Sequence, residues 1–469
     1  MTLRRYERYK ESAVEWLWQL PEHWEVMSLG RITHSKCDGP FGSGIKSDHY
    51  TEAGAQVIRL QNIRAKGYFV GEPAFIDLAY FEQELRGHEV VANDVLIAGL
   101  GDDNNLVGRA CVAPSNLGPA LVKADCFRFR IDTNKATPEF IATQLTIAAR
   151  CDAGRLSSGS TRSRIPLGTM ASRAICLPPL GEQRVITSFL SREVAKIDTL
   201  IAEQQRLIEL LTEKRQAVIS QAVTKGLDPA SPMKDSGVEW LGVVPAHWNV
   251  QPLNHVAAFR SGGTPDKGRL DYWDGDVPWA SAKDLKVDDL YDTADHITAD
   301  ALEAGAASLV PAGSVLVVVR GMILARMFPV VTAMVPMAIN QDLKAVTVRD
   351  HANAAFLAWL LRASASESLS RLDEAGHGTK ALRMDAWGAM RVPVPPLGEQ
   401  VQIAGHLKQT CAVVDAGLGD ILRGIALLQE RRTALISAAV TGQIDVRGAE
   451  AVESSPRSLL LQHDCSYGL

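Results

Sequence analysis

The chain of 469 residues is too long for one ordinary domain and predicts two or three. Its hydrophobic fraction of 46% suits a globular protein with a sizeable core, and no run reaches the roughly 18 unbroken apolar residues of a membrane span. Seven cysteines without a CxxC pair argue against structural zinc and a disulfide framework, and a net charge of −5 leaves nucleic-acid binding to a local basic face.

Residues 1–24 open with the charged string MTLRRYERYKES, which no apolar core follows, so no secretory signal is expected and a reduced cytoplasm is the simplest setting. They also carry SAVEWLWQLPEHW from Ser12. Residues 25–176 read as a mixed α/β domain, with AQVIRLQNI, NDVLIAGL and DCFRFRI as strands and TPEFIATQLTIAAR as a closing helix. Residues 177–227 predict a long helix. Pro178, Pro179 and Gly181 punctuate its start, and Glu182 opens a stretch free of Gly and Pro until Gly226. Residues 228–248 are a linker containing SGVEWLGVVPAHW from Ser236. Residues 249–393 form a second mixed α/β domain, with DVPWASAKDL, GSVLVVV and LKAVTV as strands and AAFLAWLLRA as its helix. Residues 394–445 predict a second long helix, and 446–469 a disordered tail.

The order is a repeat. LPPLGEQ begins at Leu177 and VPPLGEQ at Val394; KRQAVISQAVT begins at Lys214 and RRTALISAAVT at Arg431, so both pairs are offset by 217 residues. The VEWL strings are offset by 224, so the two intervening domains differ by seven residues, and they are otherwise poorly alike. A frame kept twice around changed inserts suggests two readers on one scaffold.

Within the first helix Ile197, Ile201, Gln204, Ile208, Leu211, Arg215, Val218 and Ala222 step by four and three, an a/d heptad seam. The second repeats it as Val414, Leu418, Ile421, Ile425, Leu428, Arg432, Leu435 and Ala439. The seam predicts that the two helices pair, with Arg215 and Arg432 fixing register. About 43 residues at 1.5 Å rise make a rod of roughly 65 Å. Antiparallel rods place the two copies about a pseudo-two-fold axis, which on DNA means two half-sites separated by a fixed spacer. Gly417, Gly419 and Gly424 weaken the second helix by up to about 1 kcal/mol each relative to Ala.

Candidate DNA-binding residues lie in the loops. SSGSTRSRIP gathers Ser160, Thr161, Arg162 and Arg164, with Arg155 just before them; arginines on a small-residue loop suit phosphate or guanine contacts, or else cover the preceding helix. HGTKALRM supplies Thr379, Lys380 and Arg383 at the corresponding place. GPFGSGIKSDHY carries Lys46, and SGGTPDKGRLDYW carries Thr264, Lys267 and Arg269; hairpin turns share that composition. Arg59 and Lys283 lie in flanking strands. Gln61 with Asn62, and Asn340 with Gln341, offer amides able to read adenine or to satisfy backbone groups.

No enzyme motif accompanies them. FGSG and AGLGD lack the strand, helix and distant acid of a dinucleotide loop, and there is no GxxxxGK[ST], NPP[YF], HExxH or GxSxG. No catalytic residue, metal site or cofactor site is expected in this chain.

The two PPLGEQ segments, each leading a long helix that ends in AVISQAVT or ALISAAVT, together with VEWLGVVPAHW, the SGGTP…YW…VPW series and AINQDLK, resemble the specificity subunit of type I restriction-modification systems over roughly residues 12–445. The resemblance implies an α/β (α+β) fold, in which two target-recognition domains are separated by an antiparallel pair of long helices. Each domain would read one half of a split, asymmetric target in double-stranded DNA. The helices would act as spacer and as docking surface for two methyltransferase subunits, with motor-nuclease subunits in the full complex. S-adenosylmethionine, ATP and magnesium would belong to those partners. The competing expectations are a coiled-coil scaffold without nucleic acid, or the recognition half of a split single-chain restriction enzyme.

Overall fold

The computed structural model describes residues 4–12, 14, 16–102, 104–156, 163–375 and 379–448. The expected mixed α/β class, internal repeat and two long helices are present, the helices spanning Leu180–Lys225 and Leu397–Val440. Both start directly after Pro–Pro with a glutamate in the first turn, where backbone N–H groups lack helical partners and an acid is favoured. The first stops at Gly226, whose φ of 75° is a left-handed helix end. Gly417, Gly419 and Gly424 do not interrupt the second. No helix among the described residues is long and apolar enough to cross a membrane.

The chain separates into two compact units, Met1–Glu203 with Gly424–Leu469, and Gln204–Arg423. The domain of the first unit holds an antiparallel sheet in the order Ala110–Val112, Val95–Ala98, Cys126–Ile131, Thr33–Cys37. A second sheet runs Ala120–Val122, Ala55–Ile58, Phe75–Ile76, Tyr50–Thr51, its first two strands parallel. The domain of the second unit has a five-stranded sheet in the order Ala257–Ser261, Leu343–Val348, Val315–Val318, Val330–Ala333, Asp289–Leu290. Its companion sheet again contains one parallel pair, Trp273–Ala280 with Met337–Ile339. Two poorly alike sequences therefore adopt one plan. In each domain the entering strand pairs with the leaving one: Glu25–Ser28 with Ala174–Leu177, and Asn249–Pro252 with Arg391–Val394.

The repeated strings meet at a joint. In the first unit the buried Glu182 accepts from Trp24 Nε1 (3.0 Å), His23 Nε2 (2.8 Å) and the Tyr6 hydroxyl (2.6 Å). Burial, then the Glu182 carboxylate, raises the Tyr6 phenol above its ordinary range. In the second unit Glu399 accepts from Trp248 Nε1 (3.0 Å) and His247 Nε2 (2.9 Å). The neighbouring glutamine ties the helix to its domain. Gln183 Oε1 accepts from the Thr137 amide (2.9 Å) and its Nε2 donates to Pro178 and Lys135 carbonyls. Gln400 does the same with Asn353, Pro395 and His351. Buried amides so satisfied fix orientation, because any other placement strands a polar group.

The seam residues turn inward. Ile197 and Ile425 are buried, and Ile201, Ile208, Leu211, Val218, Val414, Leu418, Ile421, Leu428 and Leu435 are half-buried. In the second unit Arg215 Nε donates to Asp415 Oδ1 (2.9 Å). In the first, Arg432 pairs with Asp198 (2.9 Å). These pairs obey the 217-residue offset reciprocally: each helix supplies the arginine late and the aspartate early, so the paired segments run antiparallel. In the second unit Trp359 lies under both Arg362 (4.8 Å) and Arg215 (5.9 Å). Counting from the matched Thr137 and Asn353, the first unit has Thr143 at that position, and a pocket of about 390 Å³ opens there.

Candidate nucleic-acid interface

Each domain carries a short ribbon, two-stranded in the first and three-stranded in the second. In the first, Leu100–Gly101 pairs with Ser163–Arg164, so the strand leaving Val95–Ala98 presents Arg164 opposite Leu100. Arg164 Nε donates to Asp125 Oδ1 (2.8 Å), and its guanidinium lies 5.5 Å from the Phe41 ring centre. Beneath it Asp38 accepts from the amides of Gly39 (2.7 Å) and Asp125 (3.0 Å). Burial pushes the Asp38 carboxyl up to about 6; the backbone donors oppose that rise and the Asp125 charge adds to it.

A cleft of about 240 Å³ adjoins this ribbon, lined in part by Gln61, Arg64, Asp102, Asn105 and Arg109. Arg109, buried at its base, donates to the carbonyls of Ile63 (2.8 Å), Leu60 (3.0 Å), Asn105 (2.9 Å), Leu106 (3.0 Å) and Leu100 (3.3 Å). One cation thus locks three stretches of loop. Burial lowers its pKa, and no carboxylate bonds to it among the described residues. On the wall, Arg64 donates to the Gln61 carbonyl (2.8 Å) and to Asn105 Oδ1 (2.9 Å), with Phe69 at 5.5 Å under its plane. Asn105 Nδ2 in turn donates to Asp102 Oδ1 (3.3 Å), which also accepts two loop amides.

The second domain's ribbon pairs Arg320–Gly321 with Lys380–Ala381, flanked by Leu372–Ala375. Lys380 pairs with Glu374 (2.5 Å) and Arg383 with Asp373 (3.7 Å), while Thr379 opens the same strand. Elsewhere in that domain Thr264 donates to Gln341 Oε1, Arg269 pairs with Asp271 (2.5 Å) and Lys283 with Asp295 (2.6 Å). Lys267 is exposed in its turn.

The amides divide by burial. Gln61 and Gln341 are exposed, whereas Asn62 is buried, accepts from the Arg59 amide (2.8 Å) and donates to the Phe69 carbonyl (2.9 Å). Buried Asn340 accepts from the Asp342 amide (3.1 Å). Arg59 donates to the Glu72 carbonyl (2.7 Å), and Lys46 sits exposed before a 3-10 turn. Ser160, Thr161 and Arg162 lie outside the described residues, as does the side chain of Arg155. The structure therefore brings Gln61 and Arg164 to one ribbon and its cleft, and spreads the other candidates over separate turns. Arg64, Asp102 and Asn105 escaped sequence reasoning, although Arg64 lies only three positions beyond Gln61. Among the described residues no group of three or more His, Cys, Asp or Glu is placed to hold a metal ion.

The family model described as type I restriction modification DNA specificity domain matches residues 21–210 and 245–415, which is one match per domain with the first part of its long helix. The chain belongs to this specificity family. The specificity subunit of the type I restriction enzyme EcoR124I/EcoR124II of Escherichia coli is 27% identical over 199 residues, 42% of this chain. That match spans 47% of the E. coli subunit, about half its length. A putative type I restriction enzyme MjaX specificity subunit of Methanocaldococcus jannaschii is 21% identical over 409 residues, 86% of this chain and 89% of that one. A solved structure from work on complex assembly and conformational transition of the type I R-M system matches the fold with a TM-score of 0.68. It is 18% identical and covers 91% of this chain and 99% of the other.

Proposed function

We propose that this member of the specificity family is the DNA-reading subunit of a type I restriction-modification complex. Each domain reads one half of a split, asymmetric duplex target, and the paired helices set the spacing and dock two methyltransferase subunits. The chain carries no catalysis itself. S-adenosylmethionine, ATP and magnesium act in the methyltransferase and motor-nuclease partners. The observation that carries the reading is the repeated mounting: two domains of one topology, with different loops, joined to their helices by the same Gln, Glu, Trp and His contacts. Such mounting holds orientation constant while the reading surface changes.

The test is methylation mapping of DNA from cells expressing this chain with its methyltransferase, before and after exchange of residues 25–176. A split motif of which one half changes supports the proposal. An assembled complex that leaves no chain-dependent methylation overturns it in favour of a scaffold without nucleic acid.

A further inference from the structure

The cleft beside the first ribbon has a defined order of hydrogen-bonding groups. Asn105 bridges Arg64 and Asp102, so a guanidinium donor, an amide and a carboxylate stand in a row held by bonds of 2.9 and 3.3 Å. Arg64 is fixed on one edge by Gln61 and Asn105 and on one face by Phe69. Among the described residues it forms no ion pair. Arg109, bonded to five carbonyls, keeps the floor rigid and positive. The groups are therefore placed before any ligand arrives, which lowers the ordering cost of binding.

The row has the polarity of one base pair. A G·C pair shows the major groove two acceptors, guanine N7 and O6, followed by the cytosine N4 donor. Arginine meets the first two with its fork and a carboxylate meets the third. We propose that Arg64 and Asp102 together read a single G·C pair in the half-site of the first domain, with Asn105 as the positioning residue between them. A phosphate is the wrong ligand here, because Asp102, held ionised chiefly by the Asn105 amide, would repel it. At the position matching Asp102 the second domain has no carboxylate: the residue after its ribbon glycine is the exposed Met322.

This assignment rests on the specificity-subunit reading. The experiment uses the chain assembled with its methyltransferase and scores methylated motifs for wild type, Arg64→Ala and Asp102→Asn. Asp102→Asn keeps the oxygen that accepts the loop amides and replaces the outward acceptor with a donor, so the loop stays capped. Arg64→Ala should lower discrimination at one G·C position of one half-site by tenfold or more, leaving the other half intact. Asp102→Asn should act at that same position. Relaxation at two different positions overturns the pairing of the residues. Uniform weakening with a shallower salt dependence makes Arg64 a phosphate contact and overturns it too, as does an unchanged motif in both variants. If wild type itself yields no split motif, the functional reading has failed rather than this assignment alone.

Discussion

Glu182 is the acceptor on which the first unit's joint depends, and replacing it with alanine should be among the costliest single changes in the chain. Trp24 is fully buried and Tyr6 is 5% exposed, so their indole N–H and hydroxyl would lose their only described acceptor at a site shielded from bulk solvent. A buried donor left unsatisfied costs about 1–3 kcal/mol, giving about 2–6 kcal/mol for the two; half-exposed His23 rehydrates and adds little. Glu182→Gln keeps one acceptor oxygen and should cost about 1–2 kcal/mol. Glu399 has only one fully buried donor, Trp248, and its side chain is 25% exposed against 6% for Glu182. Glu399→Ala should therefore cost about 1–2 kcal/mol. Urea unfolding, read unit by unit through hydrogen exchange, measures each loss where it occurs. Equal losses at the two joints, or a Glu182→Ala loss below 1 kcal/mol, would refute the reasoning that buried donors set the cost.

Three further outcomes follow from the same geometry. Asp38 has its native pKa near 6, above the ordinary 3.8, so the native state binds the extra proton and this stabilisation, complete below pH 4, is lost as pH rises through 6. Asp38→Asn keeps the acceptor for Gly39 and Asp125 and should stabilise by about 1 kcal/mol at pH 7.5, after allowance for its exposed side, with no gain at pH 4; thermal melts at both pH values check the sign. Thr143→Trp places in the 390 Å³ pocket the side chain that the second unit has at Trp359, and should raise Tm through about 1–2 kcal/mol of added burial; a lowered Tm would show that the pocket cannot accept the indole. A double-mutant cycle of Arg215→Ala and Asp415→Ala should return a coupling of about 1 kcal/mol, and zero coupling would remove the pair as a register device.

What was legible in the sequence was whatever has a short period. The a/d steps from Ile197 to Ala222 named the inward face of a helix because side chains three and four apart share that face. Runs such as GSVLVVV and DCFRFRI named central strands because both faces of those strands are covered. The joint was not legible: Trp24 and Glu182 are 158 residues apart, and no periodicity relates a tryptophan in one string to a glutamate in another. The strings were visible as repeats, but their meeting was not. Exposed polar residues were hardest, because composition does not separate an amide that reads a base from one that closes a turn. Asn62 and Gln61 are adjacent, yet one is buried against backbone and the other faces the cleft.

The division between fixed and variable positions has a physical cause. The Gln183 and Gln400 amides each serve three backbone groups in the interior, so a change there leaves several partners unsatisfied at once. The ribbons carry no such buried constraint: beyond backbone pairing their side chains make partly exposed ion pairs, Arg164 with Asp125 and Lys380 with Glu374. After Gly101 the chain continues with Asp102, and after the matching Gly321 with Met322; both are exposed, and neither supports a core. A carboxylate and a thioether at one scaffold position are opposite in chemistry, a charged hydrogen-bond acceptor in one domain and an apolar group in the other. The same fold can therefore hold two unlike readers without disturbing what positions them, and new specificity needs changes only where stability is least affected.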